Sequence, residues 1–173
     1  MTKLWQKSGS TLNPLIEKFT VGEDYILDAE LLPYDVEATK AHAKGLQKLG
    51  IFKAPEIRKI ISNLNRLLKD FQKGRIKIRV EDEDCHTVIE NYLTKKLKKL
   101  GGKIHTGRSR NDQVLTALRL YMRDQLNEIR KKSKRLAKNF LDFAGQYKSI
   151  AIPGYSHTQQ AMLSSIGHYF CAY

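Results

Sequence analysis

The amino-acid sequence predicts an all-α fold, with a small N-terminal helical domain followed by the first long helices of a helix bundle. Two observations support this prediction. Apolar residues recur at helical spacing through the first hundred residues. From Asn111 to Ala144 there is no Gly or Pro, and a helix of that length indicates a bundle or a coiled coil. We place the domain boundary between residues 104 and 105, so the predicted domains are 1–104 and 105–173.

Three shorter helices are predicted before that boundary. The first covers 35–49 and the second 54–74, each with apolar residues on one face and a glycine near its end. An acidic run at 81–84 begins the third helix, because negative side chains suit the positive end of the helix dipole, and the glycine pair 101–102 ends it. Between the second and third helices, apolar and basic residues alternate over 76–80, which favours a short extended segment.

The long helix after the boundary carries apolar residues seven positions apart. These are Leu115, Met122, Ile129, Leu136 and Phe143. One helix cannot bury its own apolar stripe, so this helix needs partner helices. A glycine at 145 and a Pro-Gly pair at 153–154 interrupt the pattern, and 156–173 resumes an apolar helical pattern that reaches the end of the chain. We therefore expect the sequence to be a fragment.

Composition narrows the class of protein. The 31 basic and 18 acidic residues give a formal net charge of +13, which raises the alternative of a basic, helical nucleic-acid-binding protein. The basic residues fall mainly between apolar positions of helices, as in 130–135. We therefore interpret them as solvated helix surfaces that attract small anions, and we expect no nucleic-acid partner.

No apolar run has the length of a signal peptide or a membrane span. Cys85 and Cys171 are isolated in sequence, and we expect a cytoplasmic protein.

Residues 101–113 join a loop to the long helix and suit anion binding. Backbone N–H groups at a helix N-terminus attract negative charge, and Arg108 and Arg110 add forked donors for carboxylate or phosphate. The alternative is an ordinary polar cap, in which Asn111 or Asp112 caps the helix and the arginines lie on the surface. Composition alone slightly favours that alternative.

Two further polar segments carry possible chemistry. In 152–160, His157 follows Ser156 near a predicted helix start, and a histidine can transfer protons near neutral pH while a serine hydroxyl can stabilise an oxyanion. In 83–86, two acids precede Cys85 and His86. Acid and imidazole side chains could bind a metal, but a third ligand at suitable spacing is lacking, so we predict no metal site and no cofactor.

These three segments, in this order, resemble the signature segments of the argininosuccinate lyases of the fumarase/aspartase superfamily. The matching residues are Glu83 to Glu90, His105 to Val114, and Pro153 to Gln159. The second segment is the most specific. The resemblance also includes Leu4-Trp5 and Lys18-Phe19-Thr20 near the start of the chain. It implies a small helical domain followed by the first long helices of a fumarase/aspartase-type bundle.

The resemblance implies a carbon–nitrogen lyase that cleaves argininosuccinate to fumarate and arginine in arginine biosynthesis. Its implied roles are carboxylate binding by Arg110 and Asn111, a hydrogen bond from Ser156, and proton relay through His157. Asp84 and His86 would support the site or contact the amino-acid end. The segment 20–23 departs from the family pattern, so no contact is assigned to it.

The resemblance also implies a homotetramer with shared active sites. The family's mobile loop, which supplies a serine and a lysine, would lie beyond residue 173, so we expect the isolated chain to be inactive. A catalytically incomplete structural or interaction member of the family remains the other alternative to the enzyme.

Overall fold

The computed structural model describes residues 13–173, and helices predominate among them. The Leu4-Trp5 match and the N-terminal residues in which a signal peptide would lie are outside this range. The elements in chain order are α1 (Pro14–Val21), α2 (Asp24–Lys48), α3 (Ala54–Gln72), α4 (Cys85–Leu97), α5 (Lys99–Gly102), α6 (Arg110–Gln146), β1 (Ala151–Ser156), β2 (Gln159–Ser165) and α7 (Ile166–Cys171). Short 3-10 helices cover Val80–Asp82 and Lys103–His105. None of the described helices is long and apolar enough to cross a membrane.

Tertiary contacts divide the described chain into two units, one reaching Met122 and the other comprising Arg123–Tyr173. In the first unit, α2, α3 and α4 pack against one another around a common apolar core. The fully buried aliphatic side chains of this core include Leu32, Val36, Ile60, Leu64, Leu67, Ile89 and Leu93. The predicted boundary between residues 104 and 105 stays a prediction.

Helices α3 and α6 agree with the sequence analysis, whereas α2 is longer than predicted. It begins at Asp24, although Pro33 lies inside it. Proline removes one backbone donor and normally interrupts a helix. Here the neighbouring Leu32 and Val36 are completely buried, and their packing offsets the lost hydrogen bond.

The predicted start of the third helix is wrong by four residues. Asp84 is the N-cap of α4, and its carboxylate accepts a hydrogen bond from the Thr87 N–H at 2.7 Å. Glu83 has φ of 70°, which a helix does not allow, so the helix starts at Cys85. The acidic run therefore lies in the preceding turn, where Asp82 accepts a hydrogen bond from the Arg79 N–H at 3.0 Å.

The glycine pair does not end the third helix either. Lys98, with φ of 53°, ends α4, and the chain then forms the short α5, which contains both glycines. Gly101 is buried, and a Cβ placed on it would lie 2.3 Å from the Leu93 carbonyl oxygen. Only glycine allows α5 to pack this closely against α4.

The second unit corrects the predicted helix over 156–173. Strands β1 and β2 form an antiparallel hairpin in which Ala151 pairs with Ser165 and Ser156 pairs with Gln159, with an irregularity between Pro153 and Tyr155. The helix that follows, α7, is short; it begins after Ser165, whose hydroxyl accepts a hydrogen bond from the His168 N–H. Among residues 13–173, the all-α prediction therefore holds except at this hairpin.

Candidate functional site

Arg110, the first residue of α6, is bound to the start of α4. Its guanidinium Nη1 donates to the Asp84 carboxylate, and both Nη atoms lie 3.4 Å from the Thr87 hydroxyl. The side chains of Arg110 and Asp84 are about one third and one fifth exposed. One edge of the guanidinium is therefore fixed by the protein, and other N–H donors of the same group remain for a second carboxylate.

The helix cap at this site differs from both capping residues considered in the sequence analysis. Ser109 precedes α6, and its hydroxyl accepts a hydrogen bond from the Asn111 N–H at 3.0 Å. Asp112 reciprocates by accepting from the Ser109 N–H at 2.9 Å. Asn111 lies in the first helical turn with an exposed side chain. The surface-arginine alternative is also wrong for Arg110, because Asp84 and Thr87 bind it.

His86 belongs to a buried polar cluster that the sequence analysis did not identify. Its Nδ1–H donates to Asp35 at 2.7 Å, and Gln113 Nε2 donates to the same carboxylate at 2.8 and 3.1 Å. Thr39 donates to Asp35 from within α2 at 3.2 Å. We call these four residues, Asp35, Thr39, His86 and Gln113, the Asp35 cluster. His86 is only 3% exposed, so a direct substrate contact by His86 receives no support from its position.

Cys85 lies beside His86, and with Asp28 these groups place three possible metal ligands within 4.8 Å of one another. Each is engaged in the described structure: Asp28 accepts from the Cys85 N–H at 2.9 Å, and His86 Nδ1 donates to Asp35. Burial, together with the nearby carboxylates of Asp35 and Asp28, raises the pKa of the Cys85 thiol. The described contacts of these residues are those of a hydrogen-bonded cluster.

Ser156 and His157 lie at the tip of the hairpin in the second unit. The Ser156 hydroxyl and His157 Nδ1 are 2.9 Å apart, and both residues are exposed. His157 and Thr158 form the two-residue turn, with φ of 52° and 67°. Positive φ at a β-branched residue is strained, and such strain is concentrated at functional sites. The hairpin therefore presents a hydroxyl and an imidazole together at its end.

Beside the start of α6, a cavity of about 360 Å³ is lined by residues of α2, of the loop before α6 and of the first turns of α6, among them His42 and Arg108. His42 donates to the Thr106 carbonyl oxygen at 3.1 Å. Burial, reinforced by the Arg108 guanidinium, lowers the pKa of His42. Burial also lowers the pKa of Arg108, partly offset by Asp35 and Glu90. Arg108 Nη1 donates to the Thr39 hydroxyl at 3.2 Å, so it too is not a free surface arginine.

Of the residues singled out from the sequence, the structure brings together Asp84 and Arg110 in the first unit, with Asn111 in the adjoining turn. Ser156 and His157 lie together in the second unit.

Residues 8–173 match the family model described as lyase. The argininosuccinate lyase of Thermotoga neapolitana is 48% identical over 160 residues, which are 92% of this chain and 40% of that protein. The argininosuccinate lyase of Xanthomonas euvesicatoria is 43% identical over 98% of this chain and 39% of its own length.

Two solved structures have a fold similar to that of this chain. An EDDS lyase in complex with formate superposes with a TM-score of 0.72 at 23% identity, covering 95% of this chain and 32% of that one. A fumarate lyase:delta crystallin from Brucella melitensis gives 0.70 at 17% identity, with 90% and 42% covered. The chain thus spans about two fifths of the length of the curated relatives it matches.

Proposed function

The chain belongs to the lyase family, and from that premise we propose that it is part of an argininosuccinate lyase, which cleaves argininosuccinate to fumarate and arginine. The observation that carries the proposal is the position of Arg110, fixed by Asp84 and Thr87 where α6 begins. A carboxylate there would meet a forked cation and the positive end of a long helix. Relatives named argininosuccinate lyase, at 43–48% identity, support that substrate.

The reaction proposed is a β-elimination. A base removes the proton next to a carboxylate, the resulting charge spreads onto that carboxylate, and the C–N bond to the guanidinium breaks as the guanidinium takes up a proton. Stabilising the added negative charge is the main demand. We assign carboxylate binding to Arg110 and Asn111, a hydrogen bond near the reacting end to Ser156, and a place in the proton relay to His157. Asp84 holds Arg110, and no cofactor is needed for these steps.

We also propose a cytoplasmic homotetramer with active sites shared between subunits and with small anionic metabolites as its ligands. Three exposed apolar residues of α6, Leu126, Ile129 and Leu136, support the assembly, since each is more than half exposed and such a stripe favours packing against other helices.

The proposed function is tested first by binding. The chain is titrated calorimetrically with fumarate, and we expect saturable binding that Arg110→Gln weakens about 10-fold or more, as expected for the loss of hydrogen bonds to a charged group. Arg119→Gln, which changes an exposed arginine nine residues further along the same helix, is the matched control and should bind normally. Equal affinity in all three proteins would remove Arg110 from the anion site.

Activity is tested in a chimera in which this sequence replaces the matching segment of the Thermotoga neapolitana relative. We expect the chimera to form fumarate from argininosuccinate, and the 173-residue chain alone to form none, because the relatives are about two and a half times as long. A chimera with the relative's oligomeric state and circular dichroism spectrum but without fumarate formation would contradict the proposal.

A further inference from the structure

Asp35 is the centre of the most completely buried polar group in the described chain. Its relative exposure is 0%, and its carboxylate accepts hydrogen bonds from three elements: Thr39 in α2, His86 in α4 and Gln113 in α6. A buried carboxylate is costly unless donors replace the water it has lost. The Asp35 cluster supplies those donors, so its geometry is fixed from several directions at once.

The two partners outside α2 are close in sequence to Asp84 and Arg110, which form the ion pair between the starts of α4 and α6. His86 follows Asp84 by two residues, and Gln113 follows Arg110 by three. In both cases the two residues are joined through the first turn of a helix. The Asp84 side chain caps the first turn of α4, and the Ser109 side chain caps the first turn of α6. The carboxylate of Asp35 therefore joins the first turn of α4 to the first turn of α6.

Arg108 extends this connection by one hydrogen bond. It donates to the hydroxyl of Thr39, which in turn donates to Asp35. The negative charge of Asp35 also favours the charged form of Arg108 against the effect of burial. Residues on both sides of Ser109 are thus attached to α2: Arg108 in the loop before α6 and Gln113 in the first turn of α6.

We propose that Asp35 is a positioning residue for substrate binding: by joining His86 to Gln113 it sets the separation of Asp84 and Arg110 and so presents the Arg110 guanidinium to a substrate carboxylate. The identity of the ligand rests on the proposed function. The positioning of Arg110 by Asp35 rests on the hydrogen bonds alone. Asp35 touches no substrate in this scheme and acts only through its partners.

The test uses Asp35→Asn, which keeps the size of the side chain but removes its charge and one acceptor oxygen. The matched control is Glu37→Gln, which removes an exposed carboxylate from the same helix, where it pairs with Lys40 at 2.6 Å. The first measurement is the nuclear magnetic resonance signal of the Arg110 guanidinium N–H groups. We expect a slowly exchanging signal in the unaltered chain and in Glu37→Gln, and its loss or broadening in Asp35→Asn.

The second measurement is fumarate affinity by calorimetry. We expect Asp35→Asn to weaken binding about 10- to 100-fold, the change expected when hydrogen bonds to a charged group are lost or misaligned, and Glu37→Gln to leave it unchanged. If Asp35→Asn does not fold, Gln113→Met replaces it, because that variant removes only the link to α6; the guanidinium signal should again broaden and affinity should again fall.

The outcomes separate the two proposals. If the unaltered chain binds no fumarate but the guanidinium signal depends on Asp35, the proposed ligand is wrong and the positioning role stands. If a folded Asp35→Asn or Gln113→Met variant loses only stability towards urea, with an unchanged guanidinium signal and fumarate affinity, Asp35 is merely structural and the inference is overturned.

Discussion

Arg110 has one carboxylate partner, Asp84, and enough N–H donors for a second. Asp84 engages one edge of its guanidinium, which keeps the side chain in place without consuming all five N–H donors. Lysine offers a compact ammonium that can hold one partner but cannot reproduce the planar fork.

At this position we therefore expect Arg110→Lys to lower kcat/KM for argininosuccinate in the chimera by about 10- to 100-fold, equivalent to about 1.5–3 kcal/mol of lost hydrogen bonding. Steady-state assay of fumarate formation gives the value. Arg119→Lys, on the exposed surface of α6, should remain within twofold of the parent. Near-normal kcat/KM for Arg110→Lys would show that one cationic contact suffices.

A second prediction concerns the proton relay assigned to His157. We expect His157→Ala to lower kcat in the chimera by about 10²- to 10⁴-fold, the usual contribution of general acid–base catalysis. His168 provides the control, since its Nδ1 also lies near a serine hydroxyl, that of Ser164 at 3.0 Å, and it too is exposed. An unchanged kcat in His157→Ala, or an equal loss in His168→Ala, would exclude the assigned role.

A third prediction is that the free energy of unfolding depends on pH through His42. The pKa of His42 in the folded chain is lowered below its ordinary value, chiefly by burial, so the unfolded chain binds the proton more readily. Stability contributed by neutral His42 is present above about pH 6.5 and falls as the pH decreases from there towards the lower folded pKa.

Urea denaturation between about pH 7.5 and pH 5.5 measures this effect. His42→Gln should show a shallower decline in unfolding free energy over that interval than the unaltered chain. The pKa of Asp28 is raised by burial, so its contribution to stability has the opposite sign and falls as the pH rises above its ordinary pKa of 3.8. Both proteins keep Asp28, so the difference between their slopes reports on His42. Identical slopes in both proteins would show that His42 does not control the decline.

At the scale of elements, the junction between α4 and α5 depends on one glycine. Gly101 lies against the backbone of Leu93, whereas a Cβ on the adjacent Gly102 would meet nothing within 4 Å. Two neighbouring glycines of one short helix therefore differ only in the space around them.

We expect Gly101→Ala to lower the free energy of unfolding by about 1–3 kcal/mol, the usual cost of forcing an extra carbon into a packed site. Gly102→Ala should leave it unchanged or raise it by up to about 1 kcal/mol, because alanine restricts the unfolded chain. Urea titration followed by circular dichroism gives both values. Similar values for the two variants would mean that α5 moves away from α4 without cost.

For the whole molecule, the exposed stripe of α6 should decide the state of association. Leu126, Ile129 and Leu136 are 63%, 59% and 55% exposed, and their burial between copies of the chain would stabilise an oligomer at roughly 25 cal/mol per Å² of apolar area. Replacing Leu126 and Ile129 together by Gln should shift the mass measured by light scattering towards the monomer. Lys131→Gln and Lys132→Gln, together on the same helix, should not change it.

Several elements could be predicted because their signals are local. The apolar spacing of 54–72 and the absence of Gly and Pro through most of 110–146 specify α3 and α6 without reference to distant residues. The start of α4 was misplaced because the same acids suit a first helical turn, a cap or a preceding turn equally well. The hairpin was missed because its turn uses positive φ at His157 and Thr158, and neither residue type indicates that conformation.

The sequence by itself determined the helical class, the long helix and the family resemblance, since patterns and motifs are properties of neighbouring positions. It also singled out Asp84, Arg110, Asn111, Ser156 and His157 as candidate site residues. Only the tertiary structure decided that Arg110 is held by Asp84, that His86 is buried, and that Asp35 joins His86 to Gln113. The physical reason is that the Asp35 contacts span 51 and 78 residues of chain. Such contacts exist only after α2, α4 and α6 have packed together, and no local pattern in the sequence encodes which buried donor will meet which buried carboxylate.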